Sequence, residues 1–348
     1  MSVTLRRIRP LLLALAASLA APALATAQTV EQFYAGKQMS LVIGGAAGSG
    51  YDIIGRILSK HFGKYLPGNP RIIVRNMPGA GGIIATNYMN TVAEKDGTVF
   101  AVVGREAIFD PLFSGAESKA TYDSRKFVWM GTPNREVGMA YVMTATKIDS
   151  IEDVQKREVT SAASGATSGS AVSARVLNAL LGTKFKIITG YPGGADALLA
   201  MENGEVDARV VTGFAGPEAI KVNDWIARGK AKLLLQLAVQ SHPKYQHVPL
   251  ITQFAKNEND RMVMELMFIG QELGRPFFAP PGVPADRAKA LQDAFAKTME
   301  DAEFQQEAKD YELSPLLAAD ISAVVEKVYA FPKETLARAI DVIAATAK

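Results

Sequence analysis

The sequence predicts a two-lobed α/β protein in which each lobe is a mainly parallel sheet flanked by helices. Three observations carry that expectation. Short apolar strands alternate with amphipathic helices in two separate sets along the chain, the pattern of βαβ units. The turns that join strand to helix are rich in glycine. A chain of 348 residues with 48% hydrophobic content also exceeds one ordinary domain, so its core is expected to divide.

Residues 1–27 read as a cleavable secretion leader and place the chain in the periplasm. Arg6, Arg7 and Arg9 form a positive start, and a short Leu/Ala-rich run extends from Leu11 to about Ala21. Ala23-Leu24-Ala25 and Ala25-Thr26-Ala27 both offer the small-x-small pattern that signal peptidase accepts. The run is too short for a bilayer, which needs ~20 residues, and no positive flank stops it. The residues that should follow a twin-arginine pair are absent after Arg6-Arg7, which favours ordinary secretion. Cleavage at Ala27 leaves residues 28–348 and removes three arginines without an acid. The formal charge of +3 therefore falls to about zero. No basic cluster remains to neutralise phosphates, which argues against nucleic acid as a partner. The absence of cysteine excludes disulfides, thiolate metal sites and a cysteine nucleophile.

In order along the chain, Met39–Ile43 reads as a buried strand that runs into the turn Gly44-Gly45-Ala46-Ala47-Gly48-Ser49-Gly50. A helix is expected from about Asp52 to Phe62, with Ile53, Ile57, Leu58 and His61 near one face. Arg71–Arg75 is a second strand, followed by Asn76-Met77-Pro78-Gly79-Ala80-Gly81-Gly82 and a helix from about Ile83 to Asn90. Val99–Val103 is a third strand, ending at Gly104-Arg105. The theme returns at Glu158–Ser161, the turn Ala162–Ser170, and a helix with Val172, Val176, Leu177, Leu180 and Leu181 at helical spacing. Phe185–Thr189, Val206–Val211 and Leu233–Val239 complete a second set of strands. Crossovers are expected near Phe127–Met143 and Leu266–Phe278. Lobe 1 then takes residues 28–135, lobe 2 takes 136–268, and residues 269–348 return to lobe 1 and end in helices. Those helices begin near Pro284, Ile321 and Lys333. Two lobes joined by two crossovers leave a cleft between the glycine-rich turns, at the carboxyl ends of the strands.

Small residues in such turns let backbone approach a ligand, and the free N–H groups and dipole of the following helix favour an anion. Ser49, Thr167, Ser168 and Ser170 add short hydroxyl donors. Ser170 or Asp52 equally suits a plain N-cap. Arg105 is either a bidentate carboxylate ligand or a surface or interlobe salt-bridge partner. Tyr191 and Phe214, in turns of the second set, either close over a ligand or pack in the core. No phosphate loop, dinucleotide fingerprint or nucleophile elbow is present. His61, His242 and His247 lack metal-ligand spacing, so neither cofactor nor metal is expected.

The run Gly48-Ser49-Gly50-Tyr51-Asp52 followed by Asn76-Met77-Pro78-Gly79-Ala80-Gly81-Gly82 resembles the Bug-type receptors of tripartite tricarboxylate transporters. The resemblance continues through Lys95-Asp96-Gly97-Thr98, Ser164–Ser170, Gly190-Tyr191, Gly204-Glu205-Val206-Asp207 and Phe278–Pro284. It implies a type II periplasmic-binding-protein fold that closes on its ligand. It implies also that Gly48, Ser49, Gly50 and Asp52, with Gly79, Ala80, Gly81 and Gly82, grip a carboxylate chiefly through backbone amides. The second lobe would contribute Thr167, Ser168, Gly169 and Ser170. Two positions depart from the family: Ala47 stands where proline is usual, and Ser49 where glycine is common. The second-lobe turn is also longer and richer in Ala and Ser.

These features together predict a monomeric solute-binding protein, without catalytic activity, that captures a small carboxylate and passes it to membrane transporter subunits. A binding partner of a sensor kinase would need the same chemistry. A secreted enzyme would need an acid, base or nucleophile constellation that the sequence does not assemble.

Overall fold

The structure is a computed structural model that describes residues 28–114, 118–166 and 168–345. The predicted leader and Thr167 lie outside the described residues. The α/β class is as expected: two mixed sheets, each flanked by helices.

The first sheet has the order β11-β4-β10-β3-β1-β2. Its strands are β1 (Gln38–Ile43), β2 (Arg71–Asn76), β3 (Val99–Val102), β4 (Val128–Thr132), β10 (Phe277–Ala279) and β11 (Leu316–Leu317). β1 pairs in parallel with β2 and β3, while β10 lies antiparallel between β3 and β4. The second sheet has the order β7-β6-β8-β5-β9. It contains β5 (Gly138–Met143), β6 (Val159–Ala163), β7 (Phe185–Thr189), β8 (Ala208–Val211) and β9 (Ala231–Leu237). β6 is parallel to β7 and β8, and β5 is antiparallel to both β8 and β9. The sheets are mixed because each contains a strand that arrives from the other lobe. β5 and β10 enter their sheets directly after a crossover and run against their neighbours.

Helices cover the faces. In chain order they are α1 (Val30–Tyr34), α2 (Gly50–Phe62), α3 (Ile83–Thr91), α4 (Arg105–Phe113), α5 (Ile151–Lys156), α6 (Gly169–Leu181) and α7 (Gly194–Glu202). They continue with α8 (Gly216–Ala227), α9 (Glu258–Phe268), α10 (Ala285–Glu300), α11 (Ala302–Glu307), α12 (Ala318–Tyr329) and α13 (Lys333–Ala345). Period-two alternation divides β1 between two cores: Val42 faces one, Leu41 and Ile43 the other. β3 is buried along its whole length because helices cover both of its faces. One core under the first sheet is built around Tyr34, Phe62, Phe100, Phe277 and Phe295. A second, around Tyr141, Phe214 and Trp225, lies in the other lobe. The largest passes through both lobes, from Phe109 and Trp129 to Leu177, Leu237 and Phe268. α13 packs on α9, α6 and α4, so the end of the chain also braces both lobes.

Candidate functional site

Where β1 ends, residues 44–49 turn into α2. Ser49 is extended (φ −70°, ψ 162°) and its Oγ accepts the Asp52 N–H at 3.3 Å, which makes it the N-cap. Asp52, a proposed cap in the sequence, takes another role. Its buried carboxylate accepts the Gly48 N–H at 2.8 Å, Arg56 Nε at 2.9 Å and Asn76 Nδ2 at 2.8 Å. The same Asn76 amide donates to the Gly45 carbonyl at 3.0 Å. Asp52 and Asn76 thus clip the first glycine turn to the end of β2, where the second glycine turn begins. The hydrogen bond from Arg56, with those from Gly48 and Asn76, outweighs burial and holds the Asp52 carboxyl down at about 2. The first-turn N–H groups of Gly50 and Tyr51 have no carbonyl within the helix to bond.

The second turn is a left-handed run. Gly79, Ala80, Gly81 and Gly82 have φ of 132°, 46°, 65° and 104°. Ala80 adopts a conformation that L-residues disfavour. A β-carbon at Gly79 would fall 2.5 Å from Ile84 Cδ1, whereas one at Gly81 would meet nothing within 4 Å. Gly82 rests on the start of α4, since a β-carbon there would lie 3.4 Å from Gly104 N. The two turns and the first turn of α4 therefore meet at one end of the sheet.

In the second lobe α6 starts beside Thr212, whose Cγ2 lies 3.1 Å from a β-carbon placed on Gly169. Ser168, not Ser170, is the N-cap: its Oγ accepts the Ala171 N–H at 3.4 Å, and Ser170 Oγ lies 3.1 Å from it.

Arg105 joins the lobes. It is 5% exposed; Nη1 lies 2.5 Å from Glu136 Oε2, and Nη2 donates to the Thr212 carbonyl at 2.9 Å. Of its two possible roles the structure gives the interlobe ion pair, and the guanidinium is occupied. Glu136, on the first crossover, is shared: its Oε1 lies 2.5 Å from Arg275 Nη1. Burial alone would raise the Glu136 carboxyl, but Arg275 and Arg105 outweigh it and hold it down. Arg275, which the sequence reading missed, stands on the second crossover. Its Nη2 lies 3.2 Å from a β-carbon position on Gly50, and its buried Nε has no hydrogen-bond partner among the described residues. The available signal was an arginine between Gly274 and Pro276, immediately before an apolar strand. Tyr51 lies under the Arg275 guanidinium at 5.8 Å, and burial pushes its phenol up.

Phe214 corrects a further expectation. It is 3% exposed, with its ring 5.8 Å from Tyr141 and 5.6 Å from Tyr245. Its N–H bonds to the Val137 carbonyl at 2.8 Å, which turns the loop inward, so Phe214 belongs to the core. Tyr191 is half-buried against that same core. A cavity of about 460 Å³ opens where Arg105, Gly169 and Thr212 meet and runs between α4 and α6. Farther away, His61, Asp301 and Glu303 gather with ligand atoms within 4.8 Å of one another. Lys64 Nζ already supplies the cation there, 2.5 Å from Asp301 and 3.3 Å from Glu303.

Among the described residues no helix is long and apolar enough to cross a membrane. The chain is 24% identical over 314 residues to the UPF0065 protein in the gbd 5′ region of Cupriavidus necator, covering 86% of this chain and 87% of that one. A TctC solute-binding protein from Polaromonas shares the fold at 18% identity and TM-score 0.66, covering 90% of this chain and 99% of that one. MatC from Rhodopseudomonas palustris with bound malate matches at 19% and 0.58, covering 88% and 99%. A protein of the same organism with adipate matches at 18% and 0.58, covering 90% and 97%. The profile of the tripartite tricarboxylate transporter family receptor spans residues 54–346, nearly the whole described chain, and the chain belongs to that family.

Proposed function

We propose that this protein is a periplasmic receptor that captures a small carboxylate between its lobes and delivers it to the membrane subunits of a tripartite transporter. The observation that carries this reading is the junction of the two first-lobe glycine turns. Asp52 and Asn76 lock the turns together, and the second turn presents Gly81 to open space. Gly50 and Tyr51 begin α2 at the same place, with N–H groups available for an anion. Gly48 supports the grip indirectly, because its N–H is committed to Asp52. The malate and adipate bound by two structural relatives fit the same ligand class. The Arg275 edge beside Gly50 adds positive charge without an exposed basic patch.

Affinity then depends on closure. The carboxylate held by the first lobe reaches the first turn of α6 only when the lobes approach, so binding favours the closed state. A thermal-shift screen against carboxylates tests the reading. A ligand at 100 times its dissociation constant adds about 2.7 kcal/mol and raises the melting temperature. Gly81→Val places a branched side chain in the open space before the turn and is expected to weaken binding of the selected acid at least tenfold. The new β-carbon meets no atom, but Gly81 has φ 65°, which strains a β-branched residue. The variant should therefore lose some stability, and binding is compared at a temperature where unfolding curves show it folded. Undiminished affinity would place the carboxylate elsewhere.

A further inference from the structure

We propose that His242 is an acid-sensitive latch between the lobes, holding them together as a neutral imidazole and letting go when it is protonated. Its loop follows β9 in the second lobe and is fixed from within by Gln236, which is fully buried. Gln236 Oε1 accepts the His242 N–H at 2.9 Å, and Nε2 donates to the Tyr245 carbonyl at 3.1 Å. Glu312, in the segment that leads to β11 of the first lobe, meets this loop twice. Its Oε2 lies 3.4 Å from His242 Nε2, and its Oε1 accepts from Lys244 Nζ at 2.7 Å. Glu312 has φ 50°, a conformation that L-residues disfavour and that persists where the surroundings impose it. The two contacts to the other lobe are such a constraint.

This arrangement fits one protonation state only. The Lys244 N–H donates to His242 Nδ1 at 3.2 Å and so caps the turn Pro243–Tyr245. A backbone N–H can only donate, so Nδ1 carries no hydrogen, and that of the neutral ring sits on Nε2, toward Glu312. A proton added to Nδ1 sets two donors against each other and removes the cap. The surrounding charges do not repair this. Lys244 already neutralises Glu312, and Arg135 from the first crossover adds a second positive charge near the ring. Of the remaining groups, Glu136 is committed to Arg105 and Arg275, and Glu272 lies 3.6 Å from Arg135 with its carboxyl raised by burial. The Tyr245 phenol, also raised by burial, stays neutral. Burial, helped by Lys244 and Arg135, outweighs the pull of Glu312 and lowers the His242 imidazole below its usual 6.5. A folded-state value below the unfolded one gives stability that is complete above 6.5 and lost as pH falls through the folded value. Protons have access, because the ring keeps 17% exposure and lines a cavity of about 410 Å³ with Arg135, Glu272 and Glu312.

Small-angle scattering of the ligand-free protein at about pH 8 and about pH 5 tests the latch and needs no knowledge of the ligand. The radius of gyration is expected to be larger in acid, with a midpoint below 6.5. His242→Asn keeps an acceptor for the Lys244 N–H but does not titrate, so its radius should be the same at both pH values. Glu272→Gln removes the other shifted acid beside Arg135 and should leave the response in place. Nitrogen-15 spectra of the native histidine rings should show His242 as the Nε2–H tautomer at about pH 8, titrating with the same midpoint as the radius. A native radius that does not change overturns the latch, as does a change that survives in His242→Asn or disappears in Glu272→Gln. A His242 ring that titrates at or above 6.5 overturns it too. Should His242→Asn not fold, the coincidence or separation of the two native midpoints still decides.

Discussion

The Asp52 carboxylate accepts hydrogen bonds from Gly48, Arg56 and Asn76, all within the first lobe. Its importance lies in where it places the backbone. The carboxyl sits at about 2 in the folded protein, below the ordinary value near 3.9. A folded-state value below the unfolded one adds stability that is fully present above about pH 4 and lost as pH falls through about 2. A shift of nearly two pH units corresponds to about 2 kcal/mol. Asp52→Asn should therefore destabilise the protein by about that amount in urea unfolding at pH 7, and by about half as much at pH 3. An equal loss at both pH values would mean that shape, not charge, holds the turn. At this scale the sequence was partly legible. The small residues of the two turns mark where backbone must come close, and the Gly79–Gly82 run does adopt left-handed φ throughout. Phe214 and Arg275 were illegible for a common reason: whether a side chain points to core or cleft depends on the path of a loop, and periodicity does not encode that path.

At the scale of elements, β1, β2, β3, β6, β7, β8 and β9 were read from apolar runs and found within a residue or two, because burial leaves a continuous hydrophobic signal. β4, β5 and β10 lie in the segments expected as crossovers, and β11 was not read. Some helices were hidden. α4 contains Pro111, which normally interrupts a helix, and α9 opens with the polar run Glu258-Asn259-Asp260-Arg261. Caps were displaced by two or three residues, to Ser49 and Ser168, because a helix begins where the chain leaves the strand and not where hydrophobic periodicity starts. This displacement separates two serines that look alike in sequence. Ser168→Ala removes the acceptor for the Ala171 N–H and should cost about 1 kcal/mol in chemical unfolding. Ser170→Ala removes only the hydroxyl partner of Ser168 and should cost less than half of that. A reversed order would return the capping role to Ser170.

Across the whole molecule, the two crossovers are bound to one another by charge. Glu136 on one and Arg275 on the other are paired; the Gly274 backbone packs against Asn134, and Arg105 reaches in from α4 to touch Glu136 and the Thr212 carbonyl. One carboxylate thus serves two buried guanidinium groups, and its removal is not equivalent to removing one of them. Glu136→Gln leaves both arginines without their shared counter-ion and should cost about 3–5 kcal/mol, the range for breaking a buried pair. Arg105→Met keeps the Glu136–Arg275 pair and leaves the Thr212 carbonyl without its donor, a loss of about 1–3 kcal/mol. The smaller substitution should nevertheless have the larger effect on shape. The Arg105 bond to Thr212 links a first-lobe helix to the second-lobe sheet, and without it the ligand-free lobes have less to hold them together. Small-angle scattering of the ligand-free Arg105→Met protein should therefore give a larger radius of gyration than the native protein, with ligand restoring the compact value. An unchanged radius would show that α13 and the shared core, which also bridge the lobes, set their separation without Arg105.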